Sequence, residues 1–200
     1  MIVPNTLPRA MPRTKSFDQD AALQAAISTF AQHGYEGTSA QMLTQAMGIG
    51  RQSIYDTFGD KWQLYLAALR AYTIQSVSDQ IAVVRQARRA IDGIQAHLLA
   101  FAEAAHRSPA CLGLSSVSEF GCGRPEVTEI TSKSNALLTG ELARRIAEAQ
   151  GAGDVAADLD PVETAGFLVG NLSAIKLAAR GGASPERLCA MVSIALRALR

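Results

Sequence analysis

Two hundred residues, 48% hydrophobic and 18% charged, describe a globular chain long enough to bury a core without disulfide or metal staples. Its apolar runs fall far short of the roughly 18 residues a membrane-spanning helix needs, so no membrane partner is expected. The formal net charge is +1, and basic and acidic side chains cancel over 1–65, so any polyanion contact must come from local placement of charge.

The N-terminal stretch MIVPNTLPRAMPRTKSFD carries prolines and basic residues but no continuous apolar region. It does not read as a secretory signal, and a cytoplasmic location is expected. Cys111, Cys122 and Cys189 are odd in number and lack paired spacing, which suits a reducing compartment. His33, His97 and His106 are scattered, so neither a metal site nor a cofactor is expected. Because no Ser, His and acid set is spaced for catalysis, an enzyme is not expected either.

After residue 17 nearly every segment has helical period, which predicts an all-α fold. Leu23, Ala26, Ile27, Phe30 and Ala31 mark the apolar face of a first helix stopped by Gly34. Thr38-x-x-Gln41 has capping-box spacing and is expected to open a second, short helix ending near Gly48. A third begins at Gly50 with Ile54 and Phe58 inward and breaks at Gly59. Asp60-x-x-Gln63 repeats the capping pattern and starts a long fourth helix through Trp62, Tyr65, Leu66 and Leu69. Three short helices, the last two joined by a tight turn at Met47-Gly48-Ile49, outline a helix-turn-helix.

Longer helices are predicted through Ile94, Leu98, Phe101 and Ala105, through the segment from Cys111 to Phe120, and through Ile130, Leu137, Leu138, Leu142 and Ile146. Asp160-Pro161-x-Glu163 and Ser184-Pro185-Glu186 each combine a cap, a first-turn proline and an acid, and start the last two. The expected organisation is a basic arm (1–17), a three-helix helix-turn-helix domain (18–64) and a larger helical ligand-binding and dimerisation domain (65–200).

The most informative stretch is FAQHGYEGTSAQMLTQAMGIGRQSIYDTFGDKWQLYLAAL, residues 30–69. Its G-Y-x-G-T-S start to the second helix, A-x-G-I turn, Y-x-x-F third helix and G-D-K start to the fourth resemble the DNA-binding domain of the tetracycline-repressor (TetR) family of bacterial regulators. The resemblance implies a homodimeric transcriptional regulator, usually a repressor released by a small molecule, acting on double-stranded DNA at a palindromic operator. Read from chemistry alone, Arg51, Gln52 and Ser53 place three polar side chains at the start of the reading helix. Arg51 suits a bidentate guanine contact and Gln52 an adenine. Thr38, Ser39 and Gln41 lie at a helix N-terminus that favours phosphate, and Lys61 follows the same logic. By resemblance, Tyr55 contacts phosphate through its hydroxyl. The sequence departs from the family pattern at Gly50, where Ser is frequent, and at Asp56, which puts a negative charge on the reading helix. Arg9, Arg13 and Lys15 could compensate from the arm.

Gly166, Gly170, Ala174 and Ala178 place small residues every four positions on one helix, and Met191 and Leu196 lie on the apolar stripe of the last. Together they suggest a dimer interface built from two copies of each helix, with intramolecular packing as the alternative. Phe101, Cys111, Glu119, Phe120, Cys122 and Asn171 mix apolar lining with polar groups and are candidates for a ligand pocket. Two other functions stay open: a thiol switch at Cys122, beside Arg124, and a helical small-molecule-binding protein or enzyme whose helix-turn-helix no longer reads DNA.

Overall fold

The computed structural model describes residues 17–200, so the arm residues Arg9, Arg13 and Lys15 lie outside the described residues. Among the described residues the regular structure is entirely helical: α1 (Gln19–His33), α2 (Ala40–Met47), α3 (Arg51–Phe58), α4 (Lys61–Gln86), α5 (Ala90–Arg107), α6 (Leu112–Phe120), α7 (Pro125–Gly151), α8 (Pro161–Arg180) and α9 (Pro185–Arg197). None of these is long and apolar enough to cross a membrane. The caps explain the starts. The Asp60 carboxylate accepts from the Gln63 amide at 2.8 Å, Asp160 accepts from Val162 and Glu163, and Ser184 accepts from Arg187.

The start of α2 differs from expectation. Its cap is Ser39, whose Oγ accepts from the Met42 amide at 3.2 Å. Thr38 is 1% exposed and its hydroxyl donates back to the Gly34 carbonyl at 2.6 Å. Two adjacent hydroxyls compete for the capping role, and the buried, β-branched one instead takes the carbonyl left free at the end of α1.

Two apolar clusters fill the interior. The first joins Ala26, Ile27 and Phe30 of α1, Leu43 and Met47 of α2, Ile54 of α3 and Leu64 to Leu69 of α4, and it takes Leu112 of α6 and Val127 and Ile130 of α7. The second is built from the later part of α4, from α5, and from α7, α8 and α9, around Val84, Ile94, Leu98, Leu142, Ile146, Leu168 and Val192. The 26 residues of α4 pass through both, so one continuous helix ties the two clusters together. Leu137, expected on the inner stripe of α7, is 63% exposed, because the inward stripe runs through Leu138 and Leu142 instead.

Polar groups close the second cluster. The buried Arg145 of α7 donates to the carbonyls of Ala87 and Arg89 at 2.8 and 3.1 Å, satisfying groups left open where α4 ends, and pairs with Glu148. Arg85 and Arg89, at the end of α4 and just beyond it, pair with Glu141 and Asp154. The hydrogen bonds from Arg85 and Arg144 hold the Glu141 carboxyl down at about 2.

His97 of α5 is 1% exposed, with Nε2 3.1 Å from Gln80 Oε1, and burial pushes its pKa from 6.5 down to about 4. A depressed pKa means the unfolded chain takes the proton first, so this contribution is intact above 6.5 and is lost as pH falls toward 4. Urea unfolding should show a His97-dependent loss of about 2 kcal/mol between about pH 7 and pH 5. His97→Leu should remove that part of the slope, and an unchanged slope would refute the assignment. Ser39→Ala should cost about 1 kcal/mol of stability and Ser39→Asp should retain the cap, as read by the same unfolding curves.

Candidate nucleic-acid interface and ligand cavity

The turn between α2 and α3 depends on Gly48, whose φ of +66° is left-handed and suits glycine. It sets the two helices so that Leu43, Met47 and Ile54 are buried together in the first cluster. Their opposite faces are left to solvent. Ser39 and Gln41 at the start of α2, and Arg51, Gln52 and Ser53 in the first turn of α3, are all exposed. Tyr55 is half-buried, with the Arg51 guanidinium 5.4 Å from its ring centre. Gln52 Nε2 donates to Asp56 Oδ1 at 2.8 Å, so a paired contact to adenine requires that bond to open. Gly50 supplies no side-chain cap to α3, leaving first-turn amides for another acceptor. Lys61 lies 4.2 Å over the Tyr35 ring. Thr38, expected beside them, is instead buried, with its hydroxyl given to the Gly34 carbonyl.

Two expected pocket residues fasten the helix-turn-helix to the rest of the molecule instead. The Glu119 carboxylate, at the end of α6, accepts from the Tyr35 and Glu36 amides at 2.8 and 2.7 Å. Its approach is possible because Gly34, at φ +72°, has no side chain: a Cβ there would lie 2.9 Å from Glu119 Oε2. Phe120 packs edge-on or tilted against Tyr35, Trp62 and Tyr65 at 5.4 to 5.8 Å. One turn earlier, Ser116 Oγ donates to the Leu112 carbonyl at 2.6 Å, so the Tyr65 hydroxyl, 2.7 Å away, is the donor to Ser116. Burial pushes the Tyr65 phenol up to about 12 and keeps it a neutral donor.

A cavity of about 460 Å³ opens between α4, α5, α6, α7 and α8. Of the expected residues, Phe101 and Cys111 line it, whereas Glu119, Phe120, Cys122 and Asn171 do not. Cys122 is exposed in the turn after α6, and the neighbouring Arg124 guanidinium lies 5.1 Å over Trp62. Asn171 has a buried Oδ1 without a hydrogen-bond partner. The wall is formed instead by Thr73, Ser76, Val77 and Gln80 of α4, Thr131, Ser134, Asn135 and Leu138 of α7, and Val169, Leu172, Ser173 and Lys176 of α8. Each set repeats at three- and four-residue spacing. Small polar residues on an inward helical stripe are the sequence signal that marks these positions. At one end Cys111 caps α6: its Sγ accepts from the Tyr72 hydroxyl at 3.3 Å and from the Leu114 amide at 3.5 Å. Burial, followed by the adjacent Cys111, pushes the Tyr72 phenol above its ordinary range. Lys176 donates to the Ser108 carbonyl at 2.7 Å, and burial lowers its pKa.

Of the expected interface residues, Gly166, Gly170 and Ala174 are exposed on α8, while Ala178, Met191 and Leu196 pack in part against the chain's own second cluster. The same side of α8 exposes Phe167 and Leu177, at 48% and 62%, and α9 exposes Ile194 at 57%. Such a contiguous apolar face on two neighbouring helices is unusual on a free surface. The small-residue period did not single out these large exposed apolar side chains.

Residues 22–68 match the model for bacterial regulatory proteins of the tetR family, and residues 80–194 match the tetracyclin repressor-like C-terminal domain. The HTH-type transcriptional repressor ComR of Escherichia coli (strain K12) is 27% identical over 189 residues, covering 92% of this chain and 90% of that protein. The uncharacterized HTH-type transcriptional regulator YezE of Bacillus subtilis (strain 168) is 50% identical over 62 residues; that match spans 31% of this chain and 32% of YezE. Among solved structures, a cysteine-substituted TetR family transcriptional regulator CifR, complexed with 26-bp double-strand operator DNA, superposes with a TM-score of 0.81 at 31% identity. It covers 95% of this chain and 100% of that one. The regulatory protein TetR from Rhodobacter sphaeroides shares the fold, with a TM-score of 0.80 at 19% identity over 90% of this chain and 98% of that one. The chain belongs to the TetR family of DNA-binding transcriptional regulators.

Proposed function

We propose that this regulator is a homodimeric repressor that binds a palindromic operator and is released by a small molecule held in the cavity beside α6. The observation that carries the reading is α6 itself: Cys111, Gly113, Leu114 and Val117 line the cavity, while Ser116, Glu119 and Phe120 hold the helix-turn-helix. A helix with one face in the cavity and its end bonded to the domain that reads DNA gives each site a purchase on the other. Effector and operator then weaken each other by the same coupling free energy.

Arg51, Gln52 and Ser53 read base edges in this account, and Ser39, Gln41, Tyr55 and Lys61 position the domain on phosphates. The division at 18–64 and 65–200 is one of tasks, crossed by the unbroken α4. Two copies pair through the exposed face of α8 and α9, with Gly166, Gly170, Phe167, Ala174, Leu177 and Ile194 at its centre, because two reading helices must reach successive major grooves. The protein works in the cytoplasm and is not an enzyme. Cys122 is exposed, as an oxidant-sensing thiol must be, but the Arg124 guanidinium expected to activate it lies over the Trp62 ring, so ligand control is the reading preferred.

Selection of binding sites from a randomised duplex library tests the reading. It should enrich a palindrome whose half-sites repeat at one helical turn or a multiple, with affinity falling steeply as salt rises. On that site Arg51→Ala should cost about 1 to 3 kcal/mol and relax the preference at one base position per half-site. Unchanged affinity and preference would remove α3 from the reading role, and no enriched site at low salt would overturn the regulator reading.

A further inference from the structure

We propose that the cavity takes a small amphipathic organic anion, a carboxylate on an alkyl or aryl body, whose charged end pairs with Lys176. The proposal rests on the regulator reading, since its ligand is that reading's effector, and it assigns the effector's chemical class. Lys176 is the only charged side chain among the described residues that line the cavity, and no Asp or Glu faces it there. Nor does Lys176 belong to any ion pair among the described residues.

Cations that contact the second apolar cluster's polar edge have carboxylate partners. Buried Arg145 has Glu148 and two backbone carbonyls, and Arg85 and Arg144 share Glu141. The Lys176 ammonium has one protein acceptor, the Ser108 carbonyl, and the face of Phe101 at 5.8 Å. An ammonium carries three donors, so two remain. Its half-burial already disfavours the charge, as the lowered pKa indicates. A carboxylate entering beside it would restore the missing counter-ion where the surroundings screen the attraction poorly. A cationic ligand would meet unrelieved repulsion, and a neutral one would leave the ammonium without its partner.

The rest of the wall suits the body of such a ligand. Val77, Leu138, Val169 and Leu172 supply apolar contact, and the Asn135 amide and the Ser173 hydroxyl supply donors for a second oxygen. A volume of about 460 Å³ lies within the range of small-molecule sites.

Isothermal titration calorimetry on the full chain with octanoate, octanamide, benzoate and benzamide decides the matter. At least one acid should bind the wild type about tenfold or more tightly than its amide. Lys176→Arg should keep that preference, whereas Lys176→Gln should bring the ratio to about one while amide binding persists. Equal binding of acid and amide, a preference that survives in Lys176→Gln, or no acid binding at all would each overturn the proposal. Duplex selection on the same wild-type preparation separates the two readings. Enriched operator with no acid binding removes the anion site alone, and acid binding with no enriched duplex removes the regulator reading while the anion site stands.

Discussion

The Glu119 carboxylate sits where two functions meet. It takes the amides of Tyr35 and Glu36 in the chain segment between α1 and α2, and it does so from the last turn of a helix whose N-cap, Cys111, lines the cavity. Hydrogen bonds to a charged acceptor are about twice as strong as neutral ones, and two from consecutive amides fix direction as well as distance. The aromatic group of Tyr35, Trp62, Tyr65 and Phe120 closes over the same junction, with Tyr65 fully buried. Edge-to-face contacts of this kind resist sliding in a way that aliphatic contacts do not. Any displacement of α6 therefore has to be answered by the helix-turn-helix.

The rest of the fold gives that junction something rigid to push against. The long α4 enters both apolar clusters, and its far end is pinned by Arg145, Arg85 and Arg89 to α7 and the turn after it. By contrast α6 is short, starts on a thiol cap with a long 3.5 Å bond, and borders the cavity. A weakly capped helix between a cavity and a well-fixed frame is the element whose position a ligand could bias at least expense.

The helix count, the helix-turn-helix and the start of four helices were legible in the sequence, because caps and apolar spacing act within a few residues. The first misreading, Thr38 as the cap, arose where two hydroxyls stand side by side and only tertiary burial chooses between them. Glu119 and Phe120, expected in the cavity, lie instead against the helix-turn-helix; the partners of Glu119 are 83 and 84 residues away, beyond the reach of local spacing. Lys176 and Tyr72 were missed because one charged or phenolic residue on a helix is unremarkable until four other helices close around it. Asp56, a departure from the family pattern in sequence, acquires a partner in the fold, the Gln52 amide, a residue proposed to read bases.

The central claim is that α6 couples the cavity to the DNA-reading helices, and it can be tested without knowing the effector, because coupling is reciprocal. Amide hydrogen exchange over residues 111–120 should be measured with and without saturating selected operator duplex, in the wild type and in Glu119→Ala. The account predicts that operator changes the protection of α6 in the wild type, although the proposed DNA contacts lie on α2, α3 and the start of α4, and that the change shrinks or vanishes in Glu119→Ala. Protection of α6 that is the same with and without bound operator would contradict it.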